Sequence, residues 1–206
     1  MTSKLEKSLL EKMLKSDKKL YLTITGGGVG VVNKILENGG ASSIFLGATV
    51  PYHEDDTRNI VGSILKLVSE KSASLLSLNA YNQASSLNFK NKECISIAST
   101  STLRKSGTER ADRIHEAFIC IRKYDGIEYN KSTESYHIVF NEDRTRKQEE
   151  DILSAALLAI CCSSLTICKW NLSTYDVMKK DIGFTDKDII EWQKSTVKES
   201  KDEEDD

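Results

Sequence analysis

Residues 19–40 read KLYLTITGGGVGVVNKILENGG. The first seven, KLYLTIT, are apolar and β-branched and predict a short buried strand. Gly26, Gly27, Gly28 and Gly30 follow at once. Val31, Val32, Ile35 and Leu36 then recur at helical spacing as far as Gly39-Gly40, where a helix is expected to stop. A strand, a glycine turn and a helix make an α/β unit. Its glycines let the backbone approach a ligand closely, and the amides that open the helix favour a phosphate or carboxylate. No Gly-Lys-Ser/Thr follows, so the turn is not a Walker A loop. Val31 stands where the dinucleotide fingerprint needs its third glycine. A tight turn with no ligand is the competing reading of the same residues.

Outward from this unit, Leu5, Leu9, Leu10 and Met13 predict an amphipathic helix over residues 3–16. Residues 43–52 (SIFLGATVPY) read as a second strand. Asp55 or Asp56 is placed to cap a helix carrying Ile60, Ile64, Leu65 and Val68, and another helix is expected over 72–87. Residues 94–99 (CISIAS) and 114–123 (IHEAFICIRK) read as strands. Tyr124-Asp125-Gly126 supplies a hairpin turn into a strand ending YHIVF at Phe140. Residues 146–168 form the longest helical run, and 170–197 read as two short helices. Arg144–Asp151 mixes charges in the manner of a surface helix start. The order predicts a three-layer α/β/α sandwich with a mixed β-sheet. The expected division is an N-terminal helix (1–18), an α/β domain (19–168), a helical extension (169–198) and a disordered acidic tail (199–206).

The 206 residues are 39 % hydrophobic and 29 % charged, enough apolar material for one core and too much for general disorder. Net charge is −2, and residues 199–206 hold six acids against one lysine, which leaves the body mildly basic. Bulk charge therefore does not predict nucleic-acid binding. No apolar run approaches the ~18 residues a membrane helix needs, and the N-terminus lacks a signal-peptide core. Five cysteines, an odd number, are expected as reduced thiols in a cytoplasmic setting. Cys161, Cys162 and Cys168 lack metal-site spacing, so neither a metal nor a resident cofactor is expected.

The glycine turn is followed by Gly40-Ala41-Ser42-Ser43, by FLGATVPY (residues 45–52) and by Asn59-Ile60-Val61-Gly62. CISIAST, HEAFICI and the helix from Arg146 to Cys162 come later in matching order. From Lys19 to Cys162 the chain resembles the CinA C-terminal domain family, the nicotinamide-nucleotide amidases, and it is similar to their divergent eukaryotic relatives. The resemblance implies that family's fold, a nicotinamide mononucleotide-like ligand and homo-oligomers. It also implies a serine nucleophile in the first turn with a lysine nearby. Here that serine falls on Thr23 or Thr25, depending on alignment; the family tyrosine is kept as Tyr52, and the serine after it is His53. The lysine position falls on Thr57, next to Arg58, and arginine does not accept a proton near neutral pH. His53 or His115 is the substitute base to consider for a threonine nucleophile.

Candidate ligand contacts are Gly26, Gly27 and Gly28 at the turn, Ser42, Ser43 and Ser99 from the matched segments, and Arg110 and Arg113. The two arginines belong to RKSGTERADR (residues 104–113), a basic stretch suited to clamping a phosphate and equally readable as a solvated loop. The loss of the lysine position favours a catalytically degenerate module that binds a pyridine nucleotide or acts as a scaffold. An active amidase with a threonine nucleophile, releasing ammonia from nicotinamide mononucleotide, is the alternative.

Overall fold

The computed structural model describes residues 3–87, 93–105, 113–124, 130–166 and 176–198. Helix α1 (Lys4–Met13) opens with a capping box in which Ser3 and Glu6 satisfy each other's backbone amides. Strand β1 (Lys19–Thr25) leads through the glycine turn to α2 (Gly30–Leu36). Strand β2 (Phe45–Thr49), helices α3 (Glu54–Val61) and α4 (Glu70–Leu87), and strands β3 (Cys94–Thr102), β4 (Glu116–Tyr124) and β5 (Asn130–Val139) follow. Helix α5 (Arg146–Leu165), helix α6 (Asp176–Ile182) and strand β6 (Ile189–Lys198) complete the chain.

The strands form one mixed sheet in the order β2-β1-β3-β4-β5-β6. β1 lies parallel to both β2 and β3, and the remaining pairs are antiparallel. Alternation along the strands separates two faces. Leu20, Leu22, Ile24, Ile95, Ile97, Ile119 and Ile121 join the main core with α1, α2 and α5. Tyr21, Cys94 and Ala98 face α4, whose buried residues Ala73, Leu76, Ala80 and Ala84 keep helical spacing. The result is the expected three-layer α/β/α arrangement. α5 is buried on almost every side from Ile152 to Cys162, because it packs on the sheet and on α1 and α2 together. Among the described residues no helix is long and apolar enough to cross a membrane.

Three sequence readings are corrected. The helix after His53 is capped by His53 itself, whose Nδ1 accepts the Asp55 amide, and not by Asp55 or Asp56. It stops at Gly62, at φ +72°, so Ile64, Leu65 and Val68 lie beyond it and Leu65 is 96 % exposed. The segment read as a second short helix in 170–197 contains β6, which pairs with β5 from Val139↔Ile189 to Asn130↔Lys198. Ile189, Ile190, Thr196 and Val197 are β-branched, and the free edge of β5 supplies a ladder that no isolated segment has. Arg144 and Glu149 do not sit on a surface helix start; both are buried. The hairpin turn at Asp125-Gly126, Cys168, Trp170 and the acidic tail lie outside the described residues.

Arg144 fixes the approach to β6. Its guanidinium donates to both carboxylate oxygens of Asp188 at 2.8 and 2.6 Å, and to the Gly183 carbonyl at 3.2 Å. Burial alone would push the Asp188 carboxyl up, but the Arg144 hydrogen bonds and charge and the amides of Thr185 and Asn141 hold it below the usual carboxylate value. Asp188→Ala is expected to cost about 3–5 kcal/mol in denaturant unfolding, since it leaves a buried arginine unpaired. Because the folded carboxyl is depressed, its contribution is complete above about pH 4 and is lost as pH falls through the folded value. Wild type should show this acid loss in unfolding curves, and Asp188→Asn should show a flatter acid limb.

Candidate functional site

The glycine turn closes directly against the end of β3 and the flank of α5. Gly26 sits at φ +89°, and a Cβ there would stand 2.0 Å from the Ser101 carbonyl oxygen. A Cβ on Gly27 would meet Leu103 at 2.3 Å, and one on Gly28, at φ +88°, would meet Leu157 at 2.5 Å. Packing therefore requires all three glycines. The turn's amides also have a partner. Gly28 N–H donates to Glu150 Oε2 at 2.7 Å, and Gly30 N–H donates to Glu150 Oε1 at 3.2 Å. The Ser154 hydroxyl, one turn along α5, donates to the same Oε1 at 3.2 Å. The carboxylate expected from a ligand at this turn is supplied by the chain itself.

A cleft of about 580 Å³ opens beside the turn, lined by Arg104, Lys105, Thr145, Arg146, Lys147 and Glu150. It lies past the carboxyl ends of β1 and β3, where the chain leaves for β2 on one side and for β4 on the other. In open α/β sheets this switch point is the usual ligand position. Arg146 donates to the carbonyls of Gly26 and Arg104, each at 3.1 Å, and so ties α5 to both strand ends. Among the described residues it has no carboxylate partner. Arg104 pairs with Asp143, and Lys147 with Asp151 one turn along.

Behind the cleft, Glu149 is fully buried. Its Oε1 meets His115 Nδ1 at 2.7 Å, and its Oε2 accepts the Arg104 amide at 2.6 Å. One carboxylate thus pins the residue that leaves β3 and the residue that enters β4. The Thr145–Gln148 capping box starts α5 at the cleft wall.

The other sequence candidates are dispersed. Thr23 and Thr25 are buried on the face of β1 that also carries Tyr21, toward α4, and the Thr23 hydroxyl has no hydrogen-bond partner among the described residues. His115 lies on the opposite face with α5, bound to Glu149, so it is not brought to Thr25. Tyr52 is 78 % exposed, and His53 is exposed at the head of α3. Thr57 is buried, with its hydroxyl directed at the Pro51 and His53 carbonyls. Ser42 and Ser43 belong to a turn (Ala41–Ser43) that enters β2 beside Leu20, at the end of the sheet away from Gly26. Ser99 is buried on β3 opposite Ile24, and its hydroxyl has no partner among the described residues. Arg113 is half-buried ahead of β4, and Arg110 lies outside the described residues. No group of three or more His, Cys, Asp or Glu among the described residues is placed to hold a metal ion.

Arg104 and Lys105 belong to a basic stretch legible in the sequence, whereas the mixed charges of residues 144–151 point to a surface helix start for Arg146, Lys147 and Glu150. The available signal was the four-residue step from Arg146 to Glu150 to Ser154, which puts all three on one stripe of α5.

No family model matches the sequence, and no curated protein matches it. The folded chain does match solved structures. One is the competence/damage-inducible protein CihA from Agrobacterium tumefaciens, with a TM-score of 0.59 at 13 % identity over 80 % of this chain and 96 % of that one. A second is the competence damage-inducible protein A (ComA) from Klebsiella pneumoniae, at 0.57 and 13 % over 81 % and 99 %. A CinA-superfamily protein from Escherichia coli gives 0.54 and 14 % over 80 % and 88 %. The chain has the fold of the CinA superfamily, which agrees with the resemblance read in its residues.

Gly26→Ala tests the geometry of the turn. Its methyl would require the Ser101 carbonyl to move and would hold alanine at positive φ. The expected loss is about 2 kcal/mol or more in denaturant unfolding, against a change near zero for Gly39→Ala, where no atom lies within 4 Å of the added methyl.

Proposed function

We propose that this chain is a CinA-fold binding module that holds a phosphate-bearing small molecule of the pyridine-nucleotide class in the cleft beside the glycine turn, and that it does not hydrolyse an amide. The observation that carries the reading is Arg146. Its guanidinium lines the cleft at a strand-end switch point, is held by two backbone carbonyls, and has no carboxylate partner among the described residues. On the same walls Arg104 and Lys147 are paired with Asp143 and Asp151, so the phosphate contact is assigned to Arg146. Arginine offers a phosphate two parallel hydrogen bonds, which a buried or half-buried setting strengthens.

Reach disfavours hydrolysis. A threonine nucleophile needs an adjacent base. His115 is committed to Glu149 across the sheet from Thr25, Thr57 stands at the position the family gives to lysine, and the turn amides that would stabilise an oxyanion already hold Glu150.

Titration calorimetry with nicotinamide mononucleotide, combined with an ammonia assay on the same samples, tests the proposal. Saturable binding is expected in wild type, weakened about tenfold or more in Arg146→Gln, with no ammonia above background at high enzyme concentration. Turnover would establish the amidase reading instead, and Thr25→Ala and Thr23→Ala would then identify the nucleophile. Binding unchanged by Arg146→Gln would place the ligand elsewhere.

A further inference from the structure

Two of the charges that line the cleft, Arg146 and Glu150, do not neutralise each other. Arg146 and Glu150 are one helical turn apart on α5, a spacing at which such side chains commonly pair. Here each is drawn elsewhere, Arg146 to the Gly26 and Arg104 carbonyls, and Glu150 to the amides of Gly28 and Gly30 and the Ser154 hydroxyl. All five partners are uncharged. Among the described residues Arg146 has no anionic partner and Glu150 has no cationic one. Both line the same cleft of about 580 Å³.

Glu150 is also held in place. Three donors grip its carboxylate, two of them backbone groups of a turn whose glycines have no room for side chains. The missing Gly27 side chain is part of that grip, because a Cβ there would stand 2.9 Å from Oε2. The cleft wall therefore presents a positive point and a fixed negative point, and a complementary ligand carries both signs.

We infer that Glu150 is a specificity-determining residue: the cleft prefers a ligand with an anionic group for Arg146 and a cationic or hydrogen-bond-donating group for Glu150, and it disfavours polyanions. The inference rests on the proposed anion binding in the cleft and adds which anions are accepted. A single phosphate group gains from Arg146. A second negative group in the cleft meets Glu150 as a like charge, whereas an ammonium or amide N–H meets it as an acceptor.

Three probes separate these contributions at constant ionic strength. Ethyl phosphate carries only the anion, O-phosphoethanolamine adds an ammonium at nearly the same size, and inorganic pyrophosphate adds negative charge. Wild type should bind O-phosphoethanolamine about tenfold tighter than ethyl phosphate, and Glu150→Gln should erase most of that ratio while tightening pyrophosphate several-fold. Thermal unfolding establishes that the variant is folded. Should Glu150→Gln not fold, Ser154→Ala, which removes one of the three anchors, should reduce the same ratio partway. A ratio equal in wild type and variant overturns the assignment of Glu150. That outcome is distinct from failure of the cleft itself, in which none of the probes binds wild type or Arg146→Gln leaves all affinities unchanged.

Discussion

The contact between the Glu150 carboxylate and the amides of Gly28 and Gly30 joins two distant parts of the chain. The turn belongs to the first α/β unit, and Glu150 to a helix about 120 residues later. The contact forms because nothing projects from the turn. With three glycines in sequence, α5 lies directly on the backbone, and Leu153 and Leu157 fill the space a side chain would take. Once α5 is seated there, Arg146 reaches the ends of β1 and β3, and Glu149 reaches the Arg104 amide and His115. The position of the cleft follows from this seating. So does the burial of Ile152–Cys162, which closes the main core under α1 and α2.

The same contact separates fold from chemistry. A glycine turn at the end of a first strand is an anion-binding device on general grounds, and a ligand or a side chain can fill it. In this chain a side chain does. The solved structures compared above are 13–14 % identical to it, a range in which backbone architecture persists while the residues of a site are free to change. The polar side chains beside the turn line a charged cleft. Thr25 and His115 occupy opposite faces of the sheet, and backbone alternation on β1 keeps them apart.

Much of the fold was readable from residue patterns. KLYLTIT predicted β1 to the residue, and the glycine turn, α2, α4 and the long apolar helix all followed from hydrophobic period and stop signals. Local rules failed where a distant partner decided the outcome. Residues 189–198 hold Ile-Ile and Thr-Val but also Glu, Gln and Lys, a mixture that suits a helix surface as well as an edge strand; the open edge of β5 decided the matter. Gly62 ended α3 early because its positive φ turned the chain, although apolar spacing continued past it.

The candidate site divides in the same way. The sequence by itself determined that a close-approach turn follows the first strand and that a basic stretch follows the third, because both rest on short-range chemistry: glycine's missing side chain and the density of arginine and lysine. Only the tertiary structure decided what the turn binds. RTRKQEED has the composition of a solvated helix start, and nothing local distinguishes its buried acids from its exposed ones. Glu149 and Glu150 are adjacent in sequence, yet one faces His115 and the other faces the turn, since successive helix positions point about 100° apart. That divergence acquires meaning only when α5 is laid against two strand ends more than 40 residues away.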